Sequence, residues 1–217
     1  MTIRIGDIVP DFSADTTEGE IGFHKWIGDN WVVFVSHPKD FTPICTTELG
    51  LMAQMQGEFT RRGVKLIGHS IDPVAEHLRW MRDIKETHGA AVQFPIIGDE
   101  NLYVAKALEM LSADAVPGIR TAADNATVRY VFVIGPDKCV KLMSSYPMTV
   151  GRNFDEVLRS IDSLQLTAKY KVATPANWKP GDRCVIPPTI SDQEAKGLFP
   201  DGWISLKPYL RFVKAGE

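Results

Sequence analysis

The stretch that decides the fold is Pro38-Lys39-Asp40-Phe41-Thr42-Pro43-Ile44-Cys45. Thr42 is a favourable helix N-cap, and Pro43 then falls at the first helical position, where its missing N–H costs nothing. Cys45 becomes the third helical residue. In this first turn, unpaired backbone donors and the positive end of the helix dipole favour a negative charge. Because the thiolate is the nucleophilic form of cysteine, the stretch predicts a reactive thiol.

Spacing alone leaves a second interpretation of Cys45 open, since a cysteine here can also pack as an inert small hydrophobic side chain. The other cysteines are Cys139 and Cys184, and three cysteines at long spacings form neither a disulfide framework nor a zinc site. The five histidines include no His-x-x-x-His pair. Neither a metal nor a cofactor is therefore predicted.

The composition is that of an ordinary globular protein. Of the 217 residues, 44% are hydrophobic and 24% charged, and the formal net charge is −3. This balance gives no electrostatic attraction to nucleic acid or to an anionic membrane, so neither is predicted as a partner. No apolar run approaches the roughly 20 residues of a membrane span. The first seven residues lack the apolar centre of a signal peptide, which predicts a cytoplasmic location.

Hydrophobic periodicity predicts alternating strands and helices as far as residue 169. Asp72 is expected to cap the second long helix, with Pro73 at its first position. The predicted elements are a strand over 31–35, a helix from Thr42, a strand over 64–67, a helix from Asp72, a shorter helix over 101–111, a polar loop over 112–126, strands over 128–134 and 139–145, and a helix over 153–166. This order fits a three-layer α/β domain over residues 1–169.

The segment 170–217 has a different composition, with six prolines and a capping box at Ser191-Asp192-Gln193-Glu194. A short proline-rich segment does not easily bury a core alone. It nevertheless carries apolar residues, among them Trp178, Ile186, Phe199, Trp203, Tyr209 and Phe212. The segment is therefore expected to pack on the main domain or on a partner subunit.

Several motifs resemble those of the peroxiredoxins, in the AhpC/TSA-like superfamily. Residues 38–45 resemble the peroxidatic motif Pro-x-x-x-Thr/Ser-x-x-Cys, and residues 37–49 resemble the one-cysteine subfamily specifically. Residues 127–138 resemble the strand that carries the family's active-site arginine. Further matches are 146–147, 151–156, 173–175 and 198–200, the last two in the family's C-terminal extension. The resemblance implies a thioredoxin-like fold with a small C-terminal extension domain.

The resemblance also implies an activity, that of a thiol peroxidase reducing hydrogen peroxide and organic hydroperoxides through a sulfenic acid on Cys45. It implies that Arg129 stabilises the thiolate and holds the peroxide, a task that suits a planar fork of donors. It further implies that Thr42 orients the peroxide and that Pro38, which has no N–H, shields the sulfur from water. An ordinary charge at a strand end is the alternative interpretation of Arg129.

Three more residues are expected at the pocket. Glu48 lies about one helical turn after Cys45 and is placed to pair with an arginine, although a solvated helix charge is the alternative. The resemblance makes Arg152 a second pocket arginine. His37, directly before Pro38, is expected to line the pocket, and a packing role remains an open interpretation for it.

Neither Cys139 nor Cys184 lies at a recognised resolving position, which predicts a one-cysteine enzyme that uses an external thiol. A peroxide sensor or oxidation-activated holdase chaperone is the alternative hypothesis. A thiol–disulfide oxidoreductase is disfavoured because no Cys-x-x-Cys pair is present. A homodimer or larger homo-oligomer is predicted, with segment 170–217 in the contact.

Overall fold

The computed structural model describes residues 3–111 and 129–215, which fall into two compact units, Met1–Phe154 and Asp155–Glu217. The elements of the first unit are β1 (Ser13–Thr16), β2 (Gly19–Gly22), α1 (Phe23–Ile27), β3 (Trp31–Ser36), α2 (Pro43–Arg61), β4 (Val64–Ser70), α3 (Val74–His88), β5 (Ile96–Gly98), α4 (Tyr103–Ala107), β6 (Arg129–Ile134) and β7 (Val140–Tyr146). Helix α5 (Phe154–Lys169) begins at the boundary.

A seven-stranded sheet organises the first unit, in the order β2-β1-β5-β4-β3-β6-β7. The neighbours β3, β4 and β5 run parallel, and the other pairs are antiparallel. The central strand β3 reads Trp-Val-Val-Phe-Val-Ser and is buried from Val32 onward, as expected for β-branched and aromatic residues in the middle of a sheet. Parallel strands need helical crossovers, which α2 and α3 supply.

The core of the first unit rests on paired aromatic rings. Phe34 of β3 faces Phe132 of β6 in register, with ring centroids 6.1 Å apart in an edge-on arrangement. Phe12 and Phe23 stack at 4.4 Å, and Phe23 meets Phe34 edge-on at 6.2 Å. Together these rings bury a large apolar area, and they pack Phe12 and Phe23, on either side of the N-terminal hairpin, toward the central strand β3.

The second unit is built on α5, a short helix and a small sheet. Its remaining elements are β8 (Cys184–Val185), α6 (Asp192–Leu198), β9 (Ile204–Lys207) and β10 (Leu210–Val213), with strand order β8-β10-β9. Ser191 occupies the predicted N-cap position of α6, and its hydroxyl accepts from the Glu194 N–H at 3.1 Å. Trp178, Cys184 and Ile186 are buried in a small core that also takes in Leu166 of α5.

The main strands and helices agree with the prediction, but several details differ. The β1–β2 hairpin was not predicted. Helix α3 begins at Val74 with Pro73 at its N-cap, so the predicted cap at Asp72 is wrong: one carboxylate oxygen of Asp72 accepts from the Asp40 N–H and the Ser70 hydroxyl, both at 2.9 Å.

Helix α4 is shorter than predicted at both ends, where Leu102 just before it (φ 60°) and Glu109 just after it (φ 52°) have left-handed backbones. The polar loop predicted over 112–126 lies outside the described residues. The predicted domain boundary at 169/170 stays a prediction. Among the described residues, no helix is both long and apolar enough to cross a membrane.

Candidate active site

The register of the sheet brings three segments that are distant in sequence together at one end of strands β3, β6 and β7. Strand β3 ends at Ser36, and Val35 pairs with Val131 in the antiparallel neighbour β6. The first residue of β6, Arg129, therefore lies beside the end of β3, where the loop to α2 begins. Arg129 in turn pairs with Tyr146 of β7. The segment that follows β7 consequently reaches the same edge.

Cys45 lies in the first turn of α2, as predicted, and is fully buried. Pro43 is the first helical residue and Thr42 occupies the N-cap position. The predicted capping bond of the Thr42 side chain is wrong, because its hydroxyl instead donates to the Lys39 carbonyl oxygen at 2.9 Å. That bond closes the loop before the helix and leaves the lone pairs of the hydroxyl oxygen available as acceptors.

Arg129 connects the sulfur to the sheet. Its Nη1 lies 3.3 Å from Cys45 Sγ and 2.8 Å from Glu48 Oε2. Its Nε and Nη2 donate to the Met148 carbonyl oxygen at 3.1 and 2.9 Å. The side chain is nearly fully buried. These contacts fix both the position and the plane of the guanidinium group, with one edge turned to the sulfur.

Glu48 is buried, and its carboxylate accepts hydrogen bonds from both Arg129 and Arg152. It is therefore not a solvated helix charge. Arg152 donates to its carboxylate from Nη2 at 2.6 Å, from Nε at 3.0 Å and from the backbone N–H at 2.8 Å. Arg152 Nη1 donates to the carbonyl oxygens of Ser36 at 2.6 Å and Tyr130 at 3.0 Å. Burial lowers the pKa of Arg152, and the charge of Glu48 counters that effect.

The charged side chains of this cluster leave an excess of positive charge beside Cys45. Arg129 and Arg152 bring two positive charges into a buried space, and Glu48 brings one negative charge. A net positive charge remains beside Cys45, and ionising the thiol neutralises it. The site therefore carries the charge that complements an anion. The first turn of α2 adds its dipole in the same sense.

The loop before α2 is buried and held from several sides. Pro38 and His37 are both buried. His37 Nε2 lies 2.7 Å from Asp40 Oδ1, and its ring is 5.0 Å from that of Trp80. Phe41 has a positive φ of 54°, which is strained for a residue with a side chain. The loop therefore keeps its shape only while its neighbours hold it.

Sequence reasoning missed part of this arrangement. The Asp40 carboxylate contacts His77 Nδ1 of α3 at 2.6 Å, and Trp80 donates from Nε1 to the Thr46 hydroxyl at 3.1 Å. No local motif signals either contact, because each depends on how α3 docks. Met148 contributes only a backbone carbonyl, which leaves no trace in the residue type.

All three cysteines have free thiols. Cys139 lies just before β7 and is partly exposed, and its Sγ is 3.7 Å from the Asp137 carbonyl oxygen. Cys184 is buried in β8 of the second unit, and burial raises the pKa of its thiol. Among the described residues, neither of these two thiols has an arginine contact of the kind that Cys45 has.

Comparison with known proteins identifies the family. The model of the AhpC/TSA family matches residues 5–143, and that of the C-terminal domain of 1-Cys peroxiredoxin matches residues 163–202. A 1-Cys peroxiredoxin of Dictyostelium discoideum is 50% identical over 210 residues, which is 96% of this chain and 84% of that protein. The chain belongs to the 1-Cys peroxiredoxin family. It is accordingly a thiol peroxidase, which confirms the predicted enzyme class.

The solved yeast mitochondrial 1-Cys peroxiredoxin has the same fold, with a TM-score of 0.94 and 49% identity over 99% of this chain and 100% of that one. This confirms the predicted thioredoxin-like fold with its C-terminal extension.

The prediction of a cytoplasmic location is wrong. The mitochondrial peroxiredoxin PRX1 of Saccharomyces cerevisiae is 49% identical over 98% of this chain and 81% of that protein. A 1-Cys peroxiredoxin this similar works in mitochondria, so the composition and the lack of an apolar N-terminal run do not place the chain in the cytoplasm. Compartments are chosen by address segments that receptors read, which the physics of the folded domain does not reveal.

Proposed function

We propose that Cys45 is the peroxidatic residue of this 1-Cys peroxiredoxin and that Arg129 is its main catalytic partner. The observation that carries the proposal is the 3.3 Å contact between Arg129 Nη1 and Cys45 Sγ in the first turn of α2. A buried sulfur beside a fixed guanidinium group and a helix N-terminus has the surroundings of an activated nucleophile.

The reaction begins when the Cys45 thiolate attacks the protonated oxygen of ROOH in line with the O–O bond. The S–O bond forms as the O–O bond breaks, giving a sulfenic acid and the anion RO⁻, which takes a proton from water. Negative charge moves from sulfur to the departing oxygen during this step. Arg129 lies against the sulfur and presents its donor edge along that path, so it stabilises both the thiolate and the developing anion.

Thr42 and Pro38 orient the peroxide and keep water away. The Thr42 hydroxyl gives its one proton to the Lys39 carbonyl oxygen. Toward a peroxide it is therefore an acceptor, and it takes a hydrogen bond from the peroxide O–H. Pro38 is buried and has no N–H to attract a water molecule to the sulfur.

Glu48, Arg152 and His37 complete the pocket without contacting the reacting atoms. Glu48 accepts from both arginines and so fixes Arg129 against Cys45. Arg152 ties Glu48 to the carbonyl oxygens at the ends of β3 and β6. His37 is held by Asp40 within the loop. These residues give the pocket its geometry before the peroxide arrives.

An external thiol restores the enzyme. A small thiol R′SH condenses with the sulfenic acid to form a mixed disulfide and water, and a second thiol releases the Cys45 thiolate. Cys184 is buried and its raised pKa makes it a poor resolving thiol. The related yeast mitochondrial enzyme is resolved via glutathione and thioredoxin systems, and we expect a reductant of that chemical class here.

The proposed enzyme is a homodimer or larger homo-oligomer, with residues 170–217 as an extension domain that contributes to the contact. The supporting observation is the exposed apolar surface of the β9–β10 hairpin, where Leu206 and Tyr209 are 62% and 68% exposed. Surfaces of this kind on a folded protein mark places of association.

Single-cysteine replacements test the assignment of Cys45. Cys45→Ser should abolish peroxide consumption, because a serine hydroxyl is not ionised at neutral pH. Cys139→Ser and Cys184→Ser are the matched controls and should keep most of the activity. Peroxide consumption with a dithiol as the electron donor is the measurement. Near-normal turnover in Cys45→Ser would overturn the proposal, and an equal loss in Cys184→Ser would assign that residue a resolving role.

A further inference from the structure

A second polar cluster is made of His37 and Asp40, in the loop before α2, and His77, in α3. All three side chains are almost completely buried. Asp40 joins them: its Oδ1 lies 2.7 Å from His37 Nε2 and its Oδ2 lies 2.6 Å from His77 Nδ1. His77 Nε2 lies 3.0 Å from the Ile97 carbonyl oxygen of β5. The peroxidase role proposed above uses His37 but leaves the other two side chains unexplained.

The partners of His77 determine where its protons are. A carbonyl oxygen only accepts, so His77 Nε2 carries a hydrogen that it donates to Ile97. The carboxylate of Asp40 also only accepts, so His77 Nδ1 carries a second hydrogen. His77 is therefore an imidazolium ion, paired with Asp40 in a fully buried position. A neutral His77 would leave one bare ring nitrogen facing an acceptor oxygen, either that of Asp40 at 2.6 Å or that of Ile97 at 3.0 Å, depending on the tautomer.

The partners of His37 lead to the opposite protonation. Its Nε2 donates to Asp40, but its buried Nδ1 has no hydrogen-bond partner among the described residues. A hydrogen on that nitrogen would be an unsatisfied buried donor, so His37 is neutral with Nδ1 unprotonated. Burial lowers the pKa of His37, in agreement with this assignment. Burial by itself would raise the pKa of Asp40, but the hydrogen bonds from the two histidines outweigh it and lower that pKa to about 2.

The three side chains also have the donor types of a transition-metal site. The spacing favours protons instead. Two ligands that are each about 2.0–2.2 Å from one metal ion lie roughly 3 Å or more apart. The Asp40 oxygens lie only 2.6 and 2.7 Å from the histidine nitrogens, which are hydrogen-bond distances.

The cluster restrains the loop before α2, whose backbone is strained at Phe41. Phe41 follows Asp40 directly and has the strained φ of 54°. The Asp40 N–H donates to Asp72 at 2.9 Å, and its carboxylate is fixed by both histidines. This loop carries Pro38 and leads into Thr42. Releasing the Asp40 carboxylate therefore removes a polar restraint on the part of the chain that would receive the peroxide.

We propose that His77 is a positioning residue of the peroxidase reaction: as a buried imidazolium anchored to β5, it holds Asp40 as a carboxylate, and Asp40 in turn fixes both the strained loop and the neutral, Nε2-protonated form of His37. This inference rests on the proposed role of Cys45. It adds a charged link from α3 to the loop that precedes Cys45, and this link passes through no arginine.

Four variants test the inference. In His77→Asn the amide still donates to Asp40 but carries no charge, and in Asp40→Asn the imidazolium loses its counter-ion. Each should slow the second-order oxidation of Cys45 by hydrogen peroxide by about tenfold or more, because the loop shifts. The double variant pairs two amides with no net charge and should recover at least part of the loss. His69→Asn is the matched control. It disrupts a second buried histidine–aspartate pair, 3.1 Å from His69 Nε2 to Asp99 Oδ2, in which Asp99 accepts from backbone N–H groups of α4. His69 meets the loop through its backbone carbonyl oxygen, which accepts from the His37 N–H at 2.9 Å and which the substitution retains.

Oxidation of His77→Asn within about twofold of the wild-type rate would overturn the inference, as would an equal loss in His69→Asn. Nitrogen-15 NMR of the wild-type chain provides a readout that does not depend on activity or on the variants folding. Two protonated ring nitrogens on His77 and one on His37 are expected at neutral pH. A singly protonated His77 would overturn the inference even if Cys45→Ser is inactive, so its failure is separable from failure of the Cys45 assignment.

Discussion

At the scale of single residues, the planar fork of Arg129 does what a simple positive charge does not. It meets Cys45, Glu48 and the Met148 carbonyl oxygen at the same time. Arg129→Lys keeps the charge but reaches only part of this set, so we expect peroxide oxidation of Cys45 to slow by about tenfold or more. Stopped-flow oxidation is the measurement, together with the alkylation rate of Cys45 against pH, whose rise should move to higher pH. Arg61→Lys, on the exposed end of α2, is the control and should change neither.

Should Arg129→Ala leave both the oxidation rate and the alkylation profile unchanged, the arginine is structural only.

How far the sequence predicts this site depends on the residue. Cys45 and its helix start are predictable because the motif is local. Arg129 and Arg152 required the family resemblance, since the sheet register brings Arg129 to the sulfur and Arg152 reaches Glu48 from the segment after β7. Asp40 and His77 are 37 residues apart, and their contact arises only when α3 docks against the loop.

At the scale of elements, the start of α3 depends on a close approach to the end of β5. A Cβ atom added at Gly98 would lie 2.7 Å from the Val74 backbone nitrogen and 3.1 Å from the Asp72 carbonyl oxygen. Gly98→Ala must therefore push backbone apart, and we expect a loss of about 1–3 kcal/mol in unfolding free energy. Gly57→Ala is the matched control. No atom lies within 4 Å of its added Cβ in the exposed face of α2, so it should gain roughly 0.5–1 kcal/mol.

Urea unfolding midpoints at unchanged m-value measure both changes. Equal stability of Gly98→Ala and the wild type would mean that the two elements part without cost.

The same region explains why the sequence misplaced the start of α3. Asp72-Pro73 has the pattern of a cap followed by a first helical residue, but the Asp72 carboxylate is recruited by Ser70 and by Asp40 of the active-site loop. A tertiary contact thus overrides a local capping preference at Asp72, whereas at Thr42 a local bond to the Lys39 carbonyl oxygen does so.

At the scale of the whole molecule, the unit with the seven-stranded sheet contains the proposed active site, and the second unit leaves apolar surface exposed. Strand β9 is exposed along its whole length and forms one edge of the small sheet. An unpaired edge with apolar side chains is a surface that a second copy can cover. The sequence indicated this much through the proline-rich, apolar composition after residue 170, although composition does not reveal which residues face outward.

The last prediction concerns the association of subunits. Leu206→Glu with Tyr209→Glu places two charges on the exposed hairpin, where burying them in an interface is costly. We expect light scattering to give a dimer or larger oligomer for the wild type and a lower molar mass for this variant. Leu78→Glu is the matched control: Leu78 is 45% exposed on α3, outside the extension, and its variant should keep the wild-type mass. A hairpin variant with unchanged mass would show that association does not depend on this surface, and a monomeric wild type would remove the proposed dimer altogether. Peroxide consumption measured on the same samples separates loss of assembly from loss of fold, because Cys45 and its arginines all belong to the first unit.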